Sequence, residues 1–201
     1  NTLQVNRGDN TFAELAYYAD IEASEWSWGP IFLDVDLDGY EDILVTNGQL
    51  RDFQNADMTA QIDAEKNAKG LSQSQILKLM SRFPDLRTPN VAFRNLGNGR
   101  FDEVGTKWGF NDKHDGNGMA LGDLDNDGDL DGIVNCLKGP ALIYKNNASA
   151  PRVAVRLIGD GKNTEGTGAR IRVINSIGQR QQSQEIMAGG RYVSGDQARR
   201  T

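Results

Sequence analysis

Cysteine, histidine and proline are scarce in this chain: its 201 residues include one cysteine (Cys136), one histidine (His114) and five prolines. A single cysteine excludes an internal disulfide and any cysteine-rich zinc site, while leaving the redox compartment open. Uninterrupted apolar runs are also missing, and none approaches the roughly 18 to 20 residues that cross a bilayer as a helix, so the chain is not expected to span a membrane. The opening Asn1-Thr-Leu-Gln-Val-Asn-Arg-Gly8 has neither the basic nor the apolar region of a secretory signal. Positive charge is short as well. With 22 bases against 28 acids the net charge is -6, a field that repels a phosphate backbone, so nucleic acid is not an expected partner.

The acids are unevenly placed. Two nonapeptides, Asp34-Val-Asp-Leu-Asp-Gly-Tyr-Glu-Asp42 and Asp123-Leu-Asp-Asn-Asp-Gly-Asp-Leu-Asp131, share the pattern D-x-D-x-D-G-x-x-D and hold ten of the 28 acids. Such crowding is unfavourable unless a cation sits among the carboxylates. Carboxylates at positions 1, 3 and 5 of a curled loop point to one centre, glycine at position 6 permits the sharp turn, and the position-7 carbonyl with a position-9 carboxylate closes the shell. Hard oxygen ligands favour calcium, whereas magnesium demands a smaller, stricter octahedron and zinc asks for nitrogen or sulfur. Two calcium sites are therefore expected: Asp34, Asp36, Asp38, the Tyr40 carbonyl and Asp42 in one, and Asp123, Asp125, Asp127, the Asp129 carbonyl and Asp131 in the other. Water completes each shell.

An EF-hand would need a bidentate Glu at position 12 and a helix on each side. Position 12 is instead Val45 or Val134, and the flanking segments Ile31–Leu33, Ile43–Val45, Met119–Leu121 and Ile133–Val134 are short apolar runs of strand type. The loops thus read as connections between strands. An acidic, solvated turn without metal is the bland alternative, and two copies in register weigh against it.

Asp34 and Asp123 lie 89 positions apart, and the same offset relates Asn6 to Asn95, Gly8 to Gly97, Phe12 to Phe101 and Gly29 to Gly118. Ala92-Phe93-Arg94-Asn95 resembles Ile143-Tyr144-Lys145-Asn146 at an offset of 51. The period is therefore about 51 residues, and the first copy is 38 residues longer, the excess of 89 over 51, which falls in an insertion between Gly48 and Thr88. Within a unit, Val91–Asn95, the turn Gly97-Asn98-Gly99 and Phe101–Val104 form a hairpin pattern, and two more strands flank the acidic loop. Four short strands per unit match one blade of a β-propeller. Two blades cannot close a ring that takes about 4 to 8, so the remaining blades are expected in a larger chain.

Inside the insertion, Ile76, Leu77, Leu79, Met80 and Phe83 fall on one helical face, with Ser72 or Ser74 as cap and Pro84 as stop. A weaker helical stretch runs from Asp57 to Ala68, which predicts a helical hairpin, either packing cover or a lid or partner surface. After Pro151, Val153, Val155 and Leu157, then Ala169, Ile171 and Val173, alternate with polar neighbours as two half-buried strands, and Gln184–Met187 offers a third before Gly189-Gly190. The expected architecture is all-β: propeller blades over 1–150, carrying helices in 49–88, followed by part of a small β domain over 151–201.

The acidic loops, with Asn95-Leu-Gly-Asn-Gly-Arg-Phe101 upstream, resemble FG-GAP/VCBS repeats of the kind found in integrin α-subunit propellers and many secreted bacterial proteins. Asn163-Thr-Glu-Gly-Thr-Gly-Ala-Arg-Ile-Arg-Val173, followed by Gly189-Gly-Arg-Tyr-Val-Ser194, resembles the opening of the ASPIC/UnbV domain that follows such repeats in cartilage-acidic-protein-like chains. The later F-G-L-G and W-P-x-G segments of that domain are absent. The resemblance covers most of the chain outside 49–88 and implies a calcium-bearing, seven-bladed propeller protein of the cell exterior or envelope, without implying a reaction.

Candidates for catalysis are thin. His114 stands beside Asp115 in a polar turn, and Cys136 follows Ile133-Val134 as a buried, inert thiol. Trp26 and Trp28 read as core between blades rather than a sugar platform, and Arg170, Arg172, Arg180, Arg191, Arg199 and Arg200 as a solvated face. The favoured reading is non-catalytic: structural calcium in an adhesion or ligand-binding module facing an extracellular protein or glycan. Sites of the weak extracellular class, with Kd on the order of 0.1 to 1 mM, fill outside a cell and stay empty in cytosol. The alternative is a calcium-dependent enzyme acting on polysaccharide or another polymer, with catalytic groups outside these residues.

Overall fold

The computed structural model describes residues 1–174, 176–177, 180–187, 189, 191 and 194–196, with 180 and 181 described in their backbone. Of the segments singled out above, Gly190, Tyr192, Val193, Arg199 and Arg200 lie outside the described residues.

A hairpin comes first, β1 (Gln4–Asn6) pairing with β2 (Phe12–Glu14) in a register that sets Asn6 opposite Phe12. Next, β3 (Ser27–Leu33) runs into the first acidic loop and returns as β4 (Asp42–Asn47), every residue of which is buried. A strand covered on both faces is expected to be an unbroken apolar run, and Ile43-Leu-Val45 is one. The pleat sends Ile43 and Val45 to one side, with Ala16, Ala19, Ile21, Phe93 and Phe101, and Leu44 to the other, with Ile31, Ala92, Phe110 and Met119.

The insertion opens with β5 (Gln49–Arg51). It continues through α1 (Ala56–Lys69), capped by Asn55 whose Oδ1 accepts from the Met58 N–H, and α2 (Gln73–Met80), which begins after Ser72. It closes with β6 (Asp85–Leu86), paired with β5, so the helices stand on a short two-stranded stem. The expected apolar face of α2 is only half covered. Leu77 is exposed, and Phe83, beyond the helix end, is the buried member, edge-on to Phe53 at 5.2 Å between ring centres.

The second hairpin is β7 (Val91–Asn95) with β8 (Phe101–Glu103), which sets Asn95 opposite Phe101 as Asn6 is set opposite Phe12. A helical turn, α3 (Gly105–Trp108), leads to β9 (Gly116–Gly122), the second acidic loop, β10 (Asp131–Cys136) and β11 (Leu142–Tyr144). In the tail β12 (Arg170–Ile174) pairs with β13 (Arg180–Glu185).

The larger sheets have the orders β3-β4-β7-β8 and β9-β10-β11, both antiparallel, as expected of propeller-type blades. They meet through the cluster that holds Ile31, Leu44, Met119, Leu121 and Val134, and the Thr46 hydroxyl donates to the Asn117 carbonyl across the junction at 2.7 Å. Sequence unit and spatial sheet are out of phase. The hairpin that opens the second unit, β7–β8, completes the sheet begun by β3 and β4 of the first, because β7 pairs with β4.

One expected strand does not form. Residues 153–157 carry a single bridge position, Val155, rather than a ladder, and Val153 is 76% exposed. The strand placed at Gln184–Met187 is instead Arg180–Glu185. The tail also covers the free edge of β9: the Leu121 N–H donates to Asp196 Oδ1 at 3.0 Å and the Ser194 hydroxyl to the Met119 carbonyl at 2.5 Å. Among the described residues no helix is long and apolar enough to cross a membrane.

Candidate metal centres

Strands bracket both acidic loops, and the two loops share one backbone path. Position 4 is left-handed in each (Leu37 φ 57°, Asn126 φ 61°), and the glycine after it has φ 97° in each (Gly39, Gly128). A side chain at φ 97° is strained, so glycine is required there.

The path gathers the acids. Oxygens of Asp34, Asp36 and Asp42 lie within 4.8 Å of one another, as do those of Asp123, Asp125 and Asp131. These are positions 1, 3 and 9 of the expected shells, and each triad could hold a metal ion. Asp38 and Asp127, at position 5, stand outside the triads. Asp38 accepts from the Tyr40 N–H at 3.0 Å, and Asp127 from the Asp129 N–H at 3.2 Å. The Tyr40 ring packs against Gly97, where an added Cβ would come within 2.8 Å of it, while the Asp129 side chain is fully buried.

Backbone N–H groups fix the first and last carboxylates. Asp34 accepts from Asp38 and Gly39, both at 2.9 Å, and Asp42 accepts from Val35 at 2.9 Å and Asn95 at 2.8 Å. Asp131 repeats the latter pattern with Leu124 and Asn146, both at 2.8 Å. Side-chain cations reach the other acids. Arg94 bridges Asp36 at 2.6 Å and Asp38 at 2.7 Å; Lys145 holds Asp125 at 2.5 Å; and Arg152 stands 3.4 Å from Asp127 and 3.7 Å from Asp129. The tail touches both loops, since Arg152 also donates to the Asp127 carbonyl and Gln182 Nε2 donates to Asp34 Oδ2 at 3.0 Å.

Even so, the negative charge is poorly matched. Burial pushes the Asp42 carboxyl up to about 6, with Asp36 and Asp34 adding to the rise against the two N–H bonds that lower it. Burial raises Asp34 and Asp129 too, whereas the Lys145 hydrogen bond lowers Asp125. Asp36 Oδ1 is a buried oxygen without a hydrogen-bond partner, as are both oxygens of Asp129. A hard cation fits such a site: the donors are all oxygen, three converge in each loop, and a buried carboxylate oxygen stays unmatched by any N–H.

The residues weighed for catalysis lie apart from this chemistry. His114 is exposed in a bend, and Cys136 is buried in β10 with its thiol pKa raised by burial. Trp28 is half-buried, its indole N–H donating to the Gly48 carbonyl. Sequence reasoning missed the outer residues: Arg94, Asn95, Lys145, Asn146, Arg152 and Gln182. A signal existed for four of them, because Arg94-Asn95 and Lys145-Asn146 are the matched ends of two repeated tetrapeptides.

With this geometry in place, comparison with known proteins finds a match over part of the chain: residues 82–134 match the FG-GAP-like repeat family. The chain is also similar to mouse (Mus musculus) cartilage acidic protein 1, with 35% identity over 75 residues, covering 37% of this chain. The matched stretch spans 12% of that relative's length.

Proposed function

We propose that this chain is a non-catalytic β-propeller portion of an extracellular or cell-envelope protein, with a structural calcium ion in each acidic loop and a role in adhesion or ligand binding. Asp34, Asp36, Asp38, the Tyr40 carbonyl and Asp42 would hold one ion, and Asp123, Asp125, Asp127, the Asp129 carbonyl and Asp131 the other. Residues 1–150 serve as blades, residues 151–201 as the start of an ASPIC/UnbV-like module, and further blades in a larger chain complete the ring.

One observation carries the reading: two loops of the same backbone path each bring three carboxylates within 4.8 Å of one another, and in the first of them the Asp36 Oδ1 oxygen is buried without a partner. When bound, calcium supplies charge neutralisation and a rigid turn, so its affinity becomes folding free energy. The FG-GAP-like repeat at 82–134 supports the placement outside the cell, where millimolar calcium fills sites of weak affinity.

The test is a thermal melt in millimolar calcium and in excess chelator. Calcium should raise the midpoint by several degrees, and Asp36→Ala combined with Asp125→Ala should abolish the rise. An unchanged midpoint in the wild-type chain overturns the reading.

A further inference from the structure

Both loops receive help from one dipeptide on the neighbouring strand. In the first loop the Asn95 N–H donates to Asp42 at 2.8 Å, and Arg94, the residue before it, holds Asp36 through its Nε at 2.6 Å. In the second the Asn146 N–H donates to Asp131 at 2.8 Å, and Lys145 holds Asp125 at 2.5 Å. The same basic-Asn pair thus touches the same two members of the triad, the third and ninth loop positions, in both copies.

A basic side chain beside a metal loop can act in two opposite ways. As a competitor it would stand among the converging oxygens and have to leave when an ion enters. As a brace it would hold the outer oxygen of one ligand and leave the inner one turned toward the ion. Arg94 has the second geometry. Its bond is to Asp36 Oδ2, while Asp36 Oδ1 is buried and without a hydrogen-bond partner. Its other contact is Oδ2 of Asp38, the position-5 member of the shell, whose Oδ1 accepts from the Tyr40 N–H, and among the described residues no cationic side chain stands within 4.0 Å of Asp34 or Asp42. Removing an outer group that orients a metal ligand commonly costs about 10- to 100-fold in metal affinity.

We propose that Arg94-Asn95 and Lys145-Asn146 are braces that position two of the three triad carboxylates for the ion, so that neither loop is complete until the hairpin strand of the following repeat has docked. This rests on the calcium reading above. The first brace lies on β7, which pairs with β4 directly after the loop. The second follows β11, which pairs with β10 in the same way. Arg94 and Lys145 are positioning residues and touch no ion themselves. The consequence for the architecture is directional, because each repeat prepares the metal site of the one before it.

The experiment uses the 201-residue chain with one loop disabled by Asp125→Asn, leaving the first loop to be titrated with calcium by calorimetry and with terbium by sensitised luminescence. Arg94→Gln is expected to weaken the dissociation constant by about 10- to 100-fold. Arg94→Lys, which copies the residue at the matching place in the other repeat, should recover most of that loss. The melting midpoint in chelator should change little, because Arg94 is paired at the surface. Affinity that is unchanged or tighter in Arg94→Gln overturns the brace, and tighter binding would mark Arg94 as a competitor. If Arg94→Gln does not fold, Lys145→Gln in an Asp36→Asn background asks the same question of the second loop, with the same outcomes deciding. Failure of the two proposals is distinguishable: a wild-type chain that binds no calcium removes the calcium reading, whereas one that binds calcium and ignores Arg94→Gln removes the brace alone.

Discussion

Asp42 is a carboxylate at 0% exposure that accepts N–H bonds from Val35 and Asn95 and sits beside Asp34 and Asp36. Two opposing effects meet in it: the bonds hold the loop closed, and the crowding of charge pushes it open. Removing the side chain leaves two buried donors without an acceptor, while relief of repulsion offsets part of the cost. Asp42→Ala is therefore expected to lower the unfolding free energy in chelator by about 1 to 3 kcal/mol, read from urea denaturation. Asp63→Ala is the control. Its pairing with Lys66 joins groups that are 56% and 34% exposed, and such surface pairs contribute below about 1 kcal/mol. Equal losses in the two variants would contradict this account of Asp42. Cys136 offers a second reading of the core. Buried in β10 with its thiolate disfavoured, it should react with a thiol reagent only as fast as the chain opens, and labelling at the rate of a free thiol in native buffer would show that the junction between the sheets is looser than described.

Among the elements, β4 and its continuation set the tolerance of the fold. At Gly48, just beyond β4, an added Cβ would lie 2.5 Å from the Asp115 Cα and 2.6 Å from the Gly116 nitrogen, so the first blade would have to move off the start of β9. Gly48→Ala is expected to cost about 2 to 4 kcal/mol, measured by denaturation, and an effect below 0.5 kcal/mol or so would refute the close approach. The stem β5–β6 makes the inserted helices a separable feature. Asn55 caps α1, and Asn55→Ala should cost about 1 kcal/mol of local helix stability, visible in far-ultraviolet circular dichroism, without altering calcium affinity. The helices were legible from apolar spacing, Ser72 and Pro84; which residue anchors them was not. Ile62 of the weaker helix is buried, whereas Leu77 of the more amphipathic one is exposed, because burial depends on where the stem points each helix.

For the molecule as a whole, the stem predicts modularity. Replacing residues 56–80 by a short Gly-Ser linker should preserve the β signal and leave the calcium-dependent rise in melting midpoint intact, since neither triad draws on that segment. Loss of the calcium response in that variant would tie the insertion to the metal centres. The acidic loops, their strands and the duplication were readable from the chain because each is local: the D-x-D-x-D-G spacing shapes a single turn, and the 89-residue offset repeats it. The tail was read less well. Val153, Val155 and Leu157 have a strand's alternation but form a bridge at Val155 alone, and alternation states a preference that only a neighbouring ladder can satisfy. Local order along the chain thus determined the two loops, the strands beside them and the helices of the insertion. Only tertiary structure decided that β7 of one repeat closes the sheet of another, and that Arg152 and Gln182 come to lie on acids 25 and 148 positions away, because contacts between distant residues depend on how whole sheets stack and leave no mark in the spacing of either partner.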